Sequence, residues 1–446
     1  MSDLAAARVQ MGMSLAFHII FAVVGIAMPV LMIVAERRWR RSGDPVHLDL
    51  AKRWARGTAI LFAVGAVSGT VLSFELGLLW PGFMRVAGPI IGMPFSLEGF
   101  AFFTEAIFLG IYLYGWERVS ARAHQLAGVM VAVSGALSGV FVVIANAWMN
   151  APAGFDLVDG QITNVRPLAA MANAAALPQV LHMTLAAYAA TGFAVAGVHA
   201  WLILRGRRAP FHRHALAIAL LVGAPAAVLQ PLSGDFAAGH LARHQPVKLA
   251  AMEALFVTQS GAPITLGGWP DAAERRTHFG IEVPYGLSLL AFRDPTATVR
   301  GLDSVPPDLW PALPAVHLSF DLMVACGMYM ALVALWAAWL AWKKVDLSAR
   351  RRFLWATVLA APLGFVAIEA GWMVTELGRQ PWVIYGVLRT ADAVTPMPGQ
   401  MWRTGVFALI YVFLAVVVTV LLSRQIVRSP MHTGEYRGVP GAGAPG

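Results

Sequence analysis

The sequence predicts an all-α integral membrane bundle of about nine transmembrane helices, with a long external loop between the sixth and the seventh. Three observations predict it. Of 446 residues, 58% are hydrophobic and 13% charged, with a mean hydropathy of +0.65; soluble chains average about 25% charged residues, so lipid must solvate most of the surface. Apolar runs of about 20 residues, enough to cross roughly 30 Å of hydrocarbon, recur along the chain. Basic residues are dense in some connections and sparse in those between, the pattern that membrane insertion imposes.

The first run, 12–35, is followed by the interfacial anchor Arg37-Arg38-Trp39-Arg40-Arg41. Its length, and the basic block behind rather than ahead of it, are the wrong polarity for a cleavable signal, so it reads as retained. Runs at 55–80, 95–117, 126–149, 178–204 and 214–233 supply the second to sixth spans. The seventh, 314–342, ends in Trp342-Lys343-Lys344, and 353–375 and 402–424 complete the set.

Arg37, Arg38, Arg40, Arg41, Lys52 and Arg53 fill the first connection, Arg205, Arg207, Arg208 and Arg213 the fifth, and Lys343, Lys344, Arg350, Arg351 and Arg352 the seventh. The second and fourth hold only Arg85 and Arg166. The basic connections belong in the cytoplasm, which puts the N-terminus outside and the C-terminus inside. The net charge of +9 is then mostly a topology signal, and no nucleic-acid partner is expected.

The chain divides into helices one to six (1–233), an external loop (234–313), helices seven to nine (314–425) and a cytoplasmic tail (426–446) whose Gly/Pro/Ala end is expected to be unstructured. The long loop mixes eight prolines with Trp269, Phe279, Tyr285 and Phe292, a composition that favours an ordered flap. Cys326 stands alone, so no thiolate cluster can hold a metal. Any redox metal needs other ligands.

Ionisable residues inside spans are costly and are functional candidates by default. Here they are His18 in the first helix, Glu98 and Glu105 in the third, His182 and His199 in the fifth, His317 and Asp321 in the seventh, and Glu369 and Glu376 in the eighth. Glu98 and Glu105 are seven apart, hence on one helix face about 10 Å apart along the axis, as a proton relay requires; pairing with a buried Arg or a place in the headgroup zone is the plainer alternative. His182, after Pro178 and Gln179, is a possible iron ligand or a hydrogen-bonded structural residue. Met323 is a ligand or simply packing. Glu369, Trp372 and Glu376 share a face at i, i+3 and i+7 and run into Gly378-Arg379-Gln380-Pro381-Trp382. That group suits a cofactor edge, with a carboxylate for iron, an indole for a porphyrin face and an Arg for a propionate, or equally an Arg379–Glu376 pair beside an interfacial Trp382.

Taken together, Leu97-Glu98-Gly99 with Glu105, Ala145-Asn146-Ala147-Trp148-Met149, Lys248-Leu249-Ala250-Ala251-Met252-Glu253, Met323-Val324-Ala325-Cys326-Gly327 and Glu369-Ala370-Gly371-Trp372 through Trp382 closely resemble subunit I of the cytochrome bd-type quinol oxidases. The resemblance runs from about Arg8 to Arg437 and five separated motifs carry it in order. It implies a quinol:oxygen oxidoreductase of the bacterial cytoplasmic (inner) membrane, paired with a second subunit as a heterodimer, with room for small accessory subunits. Ubiquinol or menaquinol, oxygen and the lipid bilayer are the implied partners. Low-spin heme b would be held by His182 and Met323. His18 and Glu376 would each ligate one of two further hemes, a high-spin heme b and a heme d (or a further heme b). Glu98 would lie beside that pair, Glu105 and Ser138 along a proton route from the cytoplasm, and Lys248 and Glu253 at the quinol in the external loop. On the cofactor-edge reading of the eighth helix, Trp372 and Arg379 would border the hemes.

Two departures stand out. Only about 60 residues join Glu253 to the seventh helix, so the chain resembles the short-loop, cyanide-insensitive-oxidase-like branch. Asp321 stands where long-loop members have an arginine; an anion there favours ferric over ferrous heme. Asp321 lies one turn after His317, so the two can meet and act together. An ion-coupled transporter, for which buried acids are equally natural, and a quinone-reactive membrane cytochrome that does not reduce oxygen are the rival readings.

Overall fold

The computed structural model describes residues 3–158, 161–207, 209–394 and 399–427. Arg208 and the tail from 428 onward, with the end expected to be unstructured, lie outside the described residues. Among those described, nine helices are long and apolar enough to cross a membrane: α1 (Asp3–Ser42), α2 (Pro45–Leu79), α3 (Pro81–Tyr114), α4 (Ala121–Asn150), α5 (Ala176–Leu204), α6 (Pro210–His244), α7 (Leu313–Trp342), α8 (Arg351–Leu377) and α9 (Gln400–Val427).

Several helices outrun the apolar stretch that announces them. α1 begins at Asp3 rather than 12, α3 at Pro81 rather than 95, and α6 continues to His244 rather than 233. A helix ends where its backbone bonding is broken or capped, not where hydrocarbon stops. Pro45, Pro81 and Pro210 open α2, α3 and α6, the first-turn position where a missing N–H costs nothing, and Pro246 follows the end of α6. Asp44 caps α2 by accepting from the Val46 N–H at 2.9 Å, and Ser120 caps α4 through the Ala123 N–H.

α1 and α5 are the most enclosed helices, and α2 and α9 leave most of their apolar surface outward. In lipid there is little hydrophobic gain from helix association, so close backbone approach through small residues does the packing. α5 shows this on two sides. A Cβ on Gly192 would lie 2.5 Å from the Gly223 Cα of α6, and one on Gly364 of α8 would lie 2.4 Å from Ala190 Cα. At mid-height Ile19, Val23, Ile26, Ala187, Ala190 and Ile368 form a core against which Trp372 packs.

The long connection between α6 and α7 folds into a cap. A short helix, Pro246–Met252, is followed by antiparallel pairs Gln259–Ser260 with Thr298–Val299, Ile264–Leu266 with Ile281–Val283, and Trp269–Asp271 with Arg276–His278, and by a helix at Gly286–Phe292. Its own core, including Leu249, Phe256, Leu287, Val299 and Leu302, continues into Val316 of α7 and Val374 of α8. The flap is therefore docked on the helix ends, which here define the loop end of the bundle.

Candidate functional site

One face of α4 orders the polar residues of the interior. Gly135 makes room for Glu105, since a Cβ there would sit 3.2 Å from the carboxylate. Ser138 Oγ donates to Glu98 Oε1 at 3.0 Å. Asn146 Nδ2 donates to Glu376 Oε1 at 2.5 Å, and Asn150 Oδ1 accepts from Lys248 Nζ at 2.5 Å. At 100° per residue these four positions share one side of the helix, and at 1.5 Å per residue they span about 22 Å. Glu98 and Glu105, expected to share a face of α3, both turn to this stripe. Glu105 is 5% exposed, and its Oε1 has no partner.

At the loop end the stripe meets the turn after α8. Arg379, 1% exposed, donates through Nη2 to Glu376, while its Nε and Nη1 are buried without partners. Glu369 Oε1 and Trp372 Nε1 are unpartnered as well. An unsatisfied buried polar atom costs about 1–3 kcal/mol. Three of the four are N–H donors along one stretch of chain, groups that an anionic ligand would satisfy.

Two histidines are oriented by the same device. Ser68 Oγ donates to the Val64 carbonyl at 2.9 Å, so it accepts from His18 Nδ1 at 3.0 Å. Ser233 Oγ donates to the Gln230 carbonyl at 2.8 Å and accepts from His182 Nδ1 at 2.9 Å. In both rings Nδ1 carries the hydrogen, leaving the Nε2 lone pair as the ligating one. Gly69 leaves space for the His18 ring. His182 Nε2 accepts from the Gln230 amide at 3.1 Å. The Met323 sulfur lies against Gly371 of α8, where a Cβ would come within 3.0 Å, so His182 addresses α6 and Met323 addresses α8.

Lys248 and Glu253, five residues apart, face different surroundings. Lys248, 4% exposed, points at Asn150 beside Arg379 and Glu376; burial, with the Arg379 charge adding, pushes its pKa down to about 7. Glu253, 1% exposed, accepts from the Thr265 N–H at 3.3 Å, and burial, with the Asp321 charge adding, pushes it up to about 8. His317 and Asp321 meet as their spacing suggests, at 3.4 Å. His199 pairs with His212, Nδ1 to Nδ1 at 3.0 Å, away from the loop end.

The sequence did not single out several buried polar residues. Glu75, 3% exposed, accepts from Gln10 and Ser14. Glu36, 1% exposed, pairs with His124 and Arg40. The cost of a buried charge could have found both, but one lies near the expected end of its span and the other against a basic run. Asn150, Ser68 and Ser233 carry no such signal, because a neutral polar side chain in a helix is common, and Asn146 entered only as part of the 145–149 motif.

Comparison with known proteins puts these features in a family setting. Residues 6–430 match the family described as cytochrome bd terminal oxidase subunit I. A putative cytochrome bd menaquinol oxidase subunit I of Bacillus subtilis is 38% identical over 428 residues, covering 94% of each chain. A cytochrome bd ubiquinol oxidase subunit 1 of the same organism is 30% identical, covering 98% of this chain and 96% of its own. The bd oxidase from Geobacillus thermodenitrificans superposes with a TM-score of 0.91 at 37% identity, covering 96% of this chain and 99% of that one.

Proposed function

The chain belongs to the cytochrome bd terminal oxidase subunit I family, and from that premise we propose how its residues divide the work of a quinol:oxygen oxidoreductase. The family oxidises quinol and reduces oxygen to water on a heme-bearing membrane subunit that works with a subunit II. The residues here fit hemes. Two Nδ1-anchored imidazoles have Nε2 as the ligating nitrogen, that of His182 once the Gln230 amide gives way to iron, and the unpartnered Arg379 and Trp372 donors suit propionate carboxylates. His182 and Met323 would hold a low-spin heme b; His18 and Glu376 would each serve one of a high-spin heme b and a heme d (or a further heme b). When bound, the hemes supply electron transfer and the iron at which oxygen is reduced.

The chain's own residues manage protons. The loop end faces outward on this reading, because the basic connections gather at the opposite end. Quinol binds under the cap, where Glu253 accepts a proton as quinol is oxidised and Lys248 braces the Asn150–Glu376–Arg379 group beside it. Protons for oxygen come from the cytoplasmic side through Glu105 and Glu98, with the Ser138 hydroxyl holding Glu98 on the α4 stripe. Two quinols deliver four electrons and release four protons outside, and four protons taken from inside complete two waters, so charge separates without a pump. Ubiquinol and menaquinol both remain candidate donors, since the relatives' names include each.

The observation that carries the reading is the α4 stripe, which lines up Glu105, Glu98, Glu376 and Lys248 across the bundle. A pyridine hemochrome assay on purified complex, with oxygen uptake driven by quinol, tests it. Stoichiometric heme and quinol-dependent uptake are expected. A colourless complex would return the transporter reading, and a coloured one inert to oxygen the cytochrome reading.

A further inference from the structure

His317 sits near the start of α7 with no exposed surface. Its Nδ1 is 2.7 Å from the Met252 carbonyl oxygen and its Nε2 is 3.0 Å from the Gly267 carbonyl oxygen. A carbonyl oxygen can only accept, so both ring nitrogens must donate. A neutral imidazole has a single N–H; the ring that satisfies both partners is the imidazolium. Its counter-charge is at hand, for Asp321 Oδ2 lies 3.4 Å from Nε2. The same carboxylate oxygen accepts from the Gly267 N–H at 2.9 Å. Gly267 is thus gripped at both poles of its backbone, in a positive-φ conformation (65°) that glycine adopts without strain.

The two carbonyls are not arbitrary points of the cap. The Met252 carbonyl belongs to the peptide that leads into Glu253. Gly267 follows the strand Ile264–Leu266, whose Thr265 N–H donates to the Glu253 carboxylate. Two of the backbone segments that place Glu253, the peptide leading into it and the strand end that bonds its carboxylate, are therefore tied to one side chain of α7, the helix that also carries Met323. A hydrogen bond from a charged donor is roughly twice as strong as a neutral one.

We propose that His317 is a positioning residue for quinol oxidation: as a buried double N–H donor it clamps the cap to α7 and so fixes Glu253 against the quinol. The proposal rests on the reading that Glu253 faces quinol. His317 itself touches neither quinol nor the reacting atoms. Phenylalanine at this position fills the space and donates nothing, so the cap would keep its apolar core but lose its alignment.

The test is quinol kinetics of the assembled complex with His317→Phe and, separately, Glu253→Gln, alongside oxygen uptake from an artificial donor that reduces the hemes without quinol. The expected result for His317→Phe is a quinol KM raised tenfold or more, with the artificial-donor rate and the reduced heme spectrum unchanged. A quinol KM within twofold of the parent, while Glu253→Gln is impaired, overturns the clamp and leaves the quinol reading standing. Parent-like quinol kinetics in Glu253→Gln would instead remove the quinol reading, and the purpose of the clamp with it. Should His317→Phe fail to assemble, solid-state NMR of the parent complex labelled with 15N-histidine decides. Two protonated ring nitrogens on the Met252- and Gly267-bonded imidazole support the clamp, and one bare nitrogen overturns it.

Discussion

The histidine anchors are single-residue devices with single-residue consequences. A serine that donates to its own helix backbone has one lone pair free for a neighbouring imidazole, and that is enough to choose a tautomer. Replacing His182 by alanine is expected to abolish the low-spin heme absorbance, and survival of a normal six-coordinate spectrum would show another residue to be the ligand. Ser233→Ala should keep the heme and weaken its retention, about 10–100-fold for a lost outer partner, read as heme loss on dilution. Glu253 acts at the same scale. Burial holds its pKa near 8, so at neutral pH most of it is protonated and unable to take up a quinol proton. Quinol oxidation should therefore rise as pH increases through about 8, and Glu253→Gln should flatten that rise and lower turnover about 100-fold or more, the usual worth of a general base. A Glu253→Gln variant that kept the alkaline rise would assign it to another group.

At the level of elements, α4 is less a span than a rail, with a small residue, a hydroxyl and two amides facing the acids and the lysine of three other segments. Gly135→Leu is expected to push directly on the Glu105 carboxylate, which a Cβ alone would approach to 3.2 Å. Oxygen uptake should fall at least tenfold while quinol still reduces the low-spin heme. Slow reduction of that heme would instead place the lesion at the quinol end. Crossings of α5 follow different physics, since Gly192 and Gly223 touch backbone to backbone. A leucine at 192 should prevent the bundle from assembling, read as loss of the complex from membranes, rather than yield a folded but slow enzyme.

For the whole molecule, the proposed division into a loop end that handles quinol and an opposite end that draws protons predicts a vectorial experiment. In liposomes containing the complete oxidase, quinol oxidation should acidify the cap side and make the other side alkaline by about one proton per electron; release and uptake on one side would refute the assignment of Glu253 and Glu105 to opposite ends. The nine spans, the long loop and the costly residues within the spans were all legible in the amino-acid order, because hydrocarbon thickness and the penalty for charge in lipid act residue by residue. Helix ends were less so, since caps and prolines rather than hydropathy set them. Only the tertiary structure decided that Lys248 joins Glu376 and Arg379 while Glu253 turns to Thr265, that Asn146 meets a glutamate 230 positions away, and that both nitrogens of His317 face carbonyls. Such contacts depend on how each helix is rotated and crossed against its neighbours, which the summed packing of the bundle settles and no local pattern records.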